Sequence, residues 1–321
     1  MGSTSVSWEV TSLEVQVTTP NATSDALFAN GNMQVPVIVV IKAIDLDTNT
    51  VYELSDLELE TIKLIDYDDP PTELPESWSY SSTENEFEHT LPASTKGPRS
   101  EPAPFNVGIQ KKRYWVTTTE LENKRIAASI KQPDGTVVHT GGGTFDSKVT
   151  LTGTQPRKYE RKDLHILRED TADGGFSGLS GTWDQDNYYL TSKIEGYELR
   201  KADFYDYMLG DPDPALEYAV AGFCKSIPCS IFYYWPMGPE EKRTAGRSPY
   251  TAEITINQRS DALCFTRMWL KPSSSDKPWN DAGYRSGKFT VYDKYGNSGV
   301  FYTGYEDNNN QLYVTNEPYK G

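Results

Sequence analysis

Residues 33–45, MQVPVIVVIKAID, set Val35, Val37, Val39, Ile41 and Ala43 at alternate positions. A period of two is the spacing of one face of a β-strand, not of a helix. Ile38 and Val40 make the opposite face apolar as well. A strand of this kind is central in its sheet and covered on both sides. Pro36 falls near its start, where a missing N–H is tolerated. DTNT, residues 47–50, then turns the chain, and VYEL returns as a partner strand. One such central strand commits its surroundings to sheet.

The same punctuation recurs along the chain. Residues 8–19 alternate in their second half, with Leu13, Val15 and Val17 on one face. YWVTTTELENKRIAASIKQPDGTVVHT reads as three strands, with QPDGT as a turn: proline presets φ and Asp-Gly supplies the reversal. YTAEITINQRSDALCFTRMWL reads as two strands around NQRSD, and GKFTVYDKYGNSGVFYTGYEDNNNQLYVTN as three joined by YGNS and EDNNN. The Pro- and Ser-rich segments 68–82 and 91–105 are loops. Helical spacing over residues 200–209 supports one or two turns at most. A chain of 321 residues is long enough for two domains. The expected fold is all-β, with two β-sandwich domains in tandem, immunoglobulin-like or jelly-roll-like. The expected boundaries are an immunoglobulin-like sandwich at 1–155, a Gly/Ser-rich junction at 156–181 and a second sandwich at 182–321.

Charge narrows the partners. Forty-six acidic residues against 31 basic ones give a formal charge of -15. Nucleic acid demands a basic footprint, and an anionic membrane surface does too. The basic clusters KKR (111–113) and RKYERK (157–162) read as solvated charges at strand ends. No apolar run reaches the roughly 20 residues of a membrane-spanning helix. MGSTSVSWEV has neither a basic nor an apolar leader segment. The expectation is a soluble chain without a signal peptide, cytoplasmic or released without a classical leader.

The motifs of common enzymes are missing. GFSGLSG, residues 175–181, fails the G-x-S-x-G elbow, and no phosphate loop, HExxH or GxGxxG is present. His89, His139 and His165 stand in separate segments with no marked nucleophile. Asp184 and Asp186 in WDQD form a candidate carboxylate pair for glycoside hydrolysis, one of many in so acidic a chain. Three cysteines build no zinc pattern; Cys224 and Cys229 flank KSIP and fit either a hairpin disulfide or buried thiols. No cofactor is expected apart from calcium. Residues 45–56 place Asp45, Asp47 and Asn49 as an EF-hand loop would, but Thr50 stands where glycine is required, so a hairpin turn is the better reading. EDNNN, residues 306–310, is the second acidic loop.

What remains is aromatic. FYYWPMGP, residues 232–239, puts Phe232 and Tyr234 on one face of a strand and Tyr233 and Trp235 on the other, ended by Pro236. Trp279, Asn280, Asp281 and Tyr284 cluster in KPWNDAGY, and Trp183 and Asp184 in GTWDQDNYY. An aromatic ring offers an apolar surface to the C–H face of a sugar, while Asp and Asn meet its hydroxyls. Tyr233, Trp235, Trp279, Asn280, Asp281, Tyr284, Trp183 and Asp184 are therefore the candidate ligand-binding residues, and no catalytic residue is named.

VIVVIKAIDLDTNTVYEL and VYDKYGNSGVF resemble strand pairs of bacterial immunoglobulin-like modules. The resemblance implies adhesion or display and assigns no residue. The expected function is a non-enzymatic, lectin-like or cell-surface recognition protein, with a toxin or host-interaction system as its setting and a carbohydrate or cell-surface glycoconjugate as partner. The alternatives are a β-pore-forming or insecticidal toxin, a glycoside hydrolase and a structural or assembly protein.

Overall fold

The computed structural model describes residues 7–318 apart from 19–21, 93–107, 206, 208–212, 225, 274–276, 280–282, 285–286 and 307–310, and it leaves out the side chains of 283 and 284. The chain is all-β and divides into two compact units, Met1–Pro156 and Arg157–Gly321.

The first unit contains β1 (Trp8–Gln16), β2 (Ser24–Phe28), β3 (Val35–Asp45), β4 (Thr50–Tyr52), β5 (Lys63–Asp66), β6 (Trp78–Ser81), β7 (Gln110–Thr118), β8 (Asn123–Lys131), β9 (Val137–His139) and β10 (Val149–Thr154). One sheet has the order β1-β3-β7-β6, with β4 beside β3; the other has β2-β10-β8-β5, with β9 beside β8. As the alternation demands, β3 lies between β1 and β7, and Val35, Val37, Val39, Ile41 and Ala43 are all buried. Their counterparts from the second sheet include Leu64, Ile126, Ala128, Val149 and Leu151. The 45–50 segment is a hairpin turn: Asp45 Oδ1 accepts the backbone N–H groups of Asp47 and Thr48, and Asn49 adopts a left-handed φ of 54°. Ser55 then caps one short helix, α1 (Asp56–Leu59), with a reciprocal bond to Glu58.

Asp66 ties β5 to β8 through Lys124 Nζ. Burial works against its ionisation. Hydrogen bonds from Lys124 and from the Asp68 N–H outweigh that and hold the carboxyl below its ordinary value. A depressed folded pKa contributes stability above the unfolded pKa and loses it as pH falls through the folded one. Asp66→Asn is thus expected to cost about 2 kcal/mol at pH 7 in urea unfolding. The gap to wild type should begin to close below about pH 4, the unfolded value, and vanish only once pH falls below the depressed folded value. A gap that persists in acid would mean that packing, not charge, holds this corner.

The second unit contains β11 (Leu164–Gly175), β12 (Gly181–Ser192), β13 (Leu199–Phe204), β14 (Ala219–Phe223), β15 (Cys229–Tyr234), β16 (Glu241–Arg247), β17 (Tyr250–Ile256), β18 (Leu263–Pro272), β19 (Gly283–Tyr284), β20 (Lys288–Asp293), β21 (Ser298–Tyr305) and β22 (Leu312–Thr315). It has three layers. A six-stranded sheet, β11-β12-β18-β15-β14-β19, lies between a four-stranded sheet, β13-β20-β21-β22, and the β16-β17 hairpin. Phe232, Tyr234, Phe265 and Leu190 meet Phe289, Val291, Phe301 and Val314 in one core. Tyr233, Ile231, Met268 and Leu270 meet Ala245, Ala252, Ile254 and Ile256 in the other.

Two sequence expectations are corrected here, and one open alternative is resolved. The junction at 156–181 is integral sheet: β11 pairs with β12 from Leu164↔Ser192 to Gly175↔Thr182, and Tyr159 is in the core. Its glycines serve the hairpin. Gly174 leaves room for the Trp183 ring, which a Cβ there would meet at 2.9 Å, and Gly181 holds a φ of 129° that an L side chain rarely adopts. The helical spacing read over 200–209 gives way at its start to β13, Leu199–Phe204, whose pairing with β20 outweighs a weak local preference, while 206, 208 and 209 lie outside the described residues. Cys224 and Cys229 are joined as a disulfide across the β14-β15 connection, while Cys264 is a buried thiol that burial pushes up to about 12.

Candidate functional site

The aromatic run does not form a surface. Tyr233 is 0 % and Trp235 1 % exposed. Their rings stack at 5.1 Å and 7° inside the second core, the Tyr233 hydroxyl donates to the Ala215 and Gly246 carbonyls, and Trp235 Nε1 donates to Thr266 Oγ1 at 2.8 Å. The sequence shows correctly that both faces of this strand are aromatic. It does not show that the β16-β17 hairpin covers the second face. Trp279 also packs against that core, and so does Trp183, whose Nε1 donates to the Gly175 carbonyl. Asn280 and Asp281 lie outside the described residues, as does the side chain of Tyr284, whose backbone pairs with Ala221. Of the acidic loop 306–310, only Glu306 is described.

Asp184 lies on the opposite face of β12 from Trp183, beside Asp186. Arg267 on β18 is 1 % exposed and pairs with both carboxylates, and Arg168 reaches Asp186 Oδ2 at 2.9 Å. Burial raises the Asp184 pKa, Arg267 opposes the rise, and Asp186 and Asp170 add to it. The two carboxylates therefore share a guanidinium on one strand face.

The second unit does present an aromatic surface, on the outer face of its four-stranded sheet. Along β20 to β22, Phe289, Val291, Phe301, Thr303, Leu312 and Val314 point inward and are buried. The alternate positions point outward: Tyr292, Val300, Tyr302 and Tyr313, with Thr290 and Lys288. Tyr205, just past β13, joins them through its N–H to the Lys288 carbonyl and its hydroxyl to Thr290 Oγ1 at 2.8 Å. Tyr205 is 50 %, Val300 45 % and Tyr313 37 % exposed, and Tyr292 and Tyr302 are half-buried.

This face is closely packed and mixed in chemistry. Tyr313 lies over Gly304, where an added Cβ would come within 2.4 Å of the ring. Lys288 Nζ stands 5.0 Å from the Tyr205 ring centre, and Lys201 Nζ 5.6 Å from that of Tyr292. Burial, and then a hydrogen bond with Asp203, push the Tyr292 hydroxyl up to about 12, so it stays a donor at neutral pH. By the sheet register, Tyr292 and Tyr313 stand about 20 Å apart, at ~3.4 Å per residue and ~4.8 Å per strand. The result is an extended platform of rings with hydroxyl, amine and carboxylate groups between them. Sequence reading favoured the tryptophans and passed over these tyrosines, although the period of two in FTVYDKYGNSGVFYTGY and LYVT already separates them from the core set.

No protein-family model matches the chain, and no curated protein matches it. Among solved structures it is similar to the Yersinia pseudotuberculosis adhesin InvE, at 10% identity and a TM-score of 0.23, over 98% of this chain and 61% of that one. It is also similar to the C-terminal domain of the Streptococcus agalactiae AgI/II polypeptide BspA, at 14% identity and a TM-score of 0.20, over 94% and 99% of the two chains. The C-terminal domain of the Streptococcus pyogenes antigen I/II-family protein AspA gives 10% and 0.18, over 96% of each chain. At these TM-scores the likenesses assign neither family nor function. Among the described residues, no helix is long and apolar enough to cross a membrane.

Proposed function

We propose that this chain is a non-enzymatic recognition protein whose second unit binds carbohydrate across the outer face of the β13-β20-β21-β22 sheet. The observation that carries the reading is the outward-facing set Tyr205, Tyr292, Val300, Tyr302 and Tyr313 on one sheet face, with Tyr205, Val300 and Tyr313 exposed and Tyr292 and Tyr302 half-buried. A contiguous aromatic patch on a sheet face marks an interaction surface. Tyrosine suits a sugar because its ring takes the C–H face while its hydroxyl meets the sugar hydroxyls. Lys288, Lys201 and Asp203 supply further donors and acceptors. A platform about 20 Å long fits several units of an extended glycan better than a single sugar in a pocket. The Cys224–Cys229 disulfide supports a setting outside the reducing cytosol, where cell-surface glycoconjugates are met.

A glycan array of the purified chain, followed by calorimetry on the best ligand, tests this. Tyr302→Ala and Tyr313→Ala are each expected to weaken binding about tenfold or more, the usual cost of removing an aromatic anchor. Their thermal midpoints should move little, because both rings are outside the cores. Full affinity in the double variant, or a blank array, would remove the basis of the reading.

A further inference from the structure

Asp170, Asp184 and Asp186 offer three carboxylate oxygens within 4.8 Å of one another. The sheet register forces them together. Asp170 stands directly opposite Asp186 across β11-β12, Asp184 shares the Asp186 face two residues earlier, and Asp173 stands opposite Asp184 beyond a bulge. Like charges placed opposite each other on neighbouring strands are destabilising. Arg168 and Arg267 offset part of this repulsion, but both act on Asp186 through Oδ2. The other oxygen, Asp186 Oδ1, belongs to a residue of 0 % exposure and has no hydrogen-bond partner. Asp170 is exposed and makes no hydrogen bond or ion pair among the described residues. Buried carboxylate oxygens are expensive to leave unpaired, and each such atom calls for an account.

We infer that Asp170, Asp184 and Asp186 bind a hard divalent cation of the Ca2+ type, with the buried Asp186 Oδ1 and the solvent-facing Asp170 as ligands from opposite sides. The donor set is all oxygen, which selects Ca2+ or Mg2+ over softer metals. The exposed Asp170 side leaves room for the waters that complete such a shell. Two guanidiniums against three carboxylates leave a net negative charge for the ion to offset. The site lies on the six-stranded sheet, away from the tyrosine face, and its argument is independent of the carbohydrate reading.

The test uses the full chain, stripped with chelator and titrated with Ca2+, with Mg2+ in a parallel arm. Trp183 flanks Asp184 and Trp269 is its cross-strand neighbour, so both can sensitise bound Tb3+. Wild type is expected to show saturable Tb3+ luminescence displaced by Ca2+, with a Kd on the order of 0.1–1 mM for Ca2+. The thermal midpoint should rise roughly 3–8 °C at tens to a hundred times that Kd. Asp170→Asn is the decisive variant, because an exposed residue without partners can change without endangering the fold. It should lose the luminescence and the Ca2+-dependent rise, while its metal-free midpoint equals or exceeds that of wild type, since one repulsive charge is gone. Glu9→Gln, an exposed carboxylate of the first unit, should behave as wild type. No saturable response in wild type, or an equal rise in Asp170→Asn, overturns the inference.

Discussion

Arg267→Ala is expected to lower the unfolding free energy of the second unit by about 3–5 kcal/mol at neutral pH, the cost of breaking a buried ion pair from one side. Arg267 and Asp186 are each 1 % exposed, and Asp184 is about a third exposed at its side chain. Truncation strands two carboxylates, one fully buried, with Arg168 as the remaining cation. It also removes the guanidinium that lies 5.1 Å from the Trp269 ring centre. Urea unfolding at pH 7 measures the loss. In acid the deficit should shrink, because protonated carboxyls no longer need a guanidinium. The double change Arg267→Met with Asp186→Leu should recover much of the stability, since an apolar pair of similar volume replaces a buried ionic one at little net cost. A single-variant loss under about 1 kcal/mol would mean that water screens the cluster far more than its burial indicates.

The strands were legible in the sequence wherever apolar residues recur at every second position. β3 and the β20 to β22 run carry a clean period of two, and YGNS, QPDGT and DTNT mark reversals with residues that accept the required φ. The misreadings share a physical cause: local composition does not say what covers a face. FYYW reads as a strand with two aromatic faces, yet only the distant β16-β17 hairpin shows that Tyr233 and Trp235 are interior. Gly- and Ser-rich residues before Gly181 read as a linker because the cross-strand partner of β11 comes later in the chain. WDQD gave the pair Asp184 and Asp186, but Arg267, more than eighty positions away, decides what the pair can do. The tyrosine platform was legible in principle. Once Phe289, Val291 and Phe301 are assigned inward, Tyr292, Val300 and Tyr302 can only point out.

Trp235→Ala is expected to cost about 3–5 kcal/mol and to leave carbohydrate affinity unchanged wherever the fold persists. The ring is 1 % exposed and stacks on Tyr233, so its loss opens a cavity that the β16-β17 layer cannot close without moving. The indole N–H also donates to Thr266, whose hydroxyl donates to Asn187 Oδ1 at 2.6 Å, so the deletion leaves Thr266 Oγ1 without its donor in a buried polar chain. Tyr302→Ala should show the reverse profile, with little change in stability and a large loss of binding. The two variants separate the two roles that an aromatic residue can take in this unit. Thermal unfolding of each, paired with glycan titration well below the lower midpoint, reads both quantities on one sample. If Trp235→Ala abolishes binding while circular dichroism stays native, the ligand sits at the rim of β15. The tyrosine face would then lose its assignment. If only the Tyr302 variant fails to bind, the recognition surface is the outer sheet, and the FYYW run serves as core on both faces of a central strand.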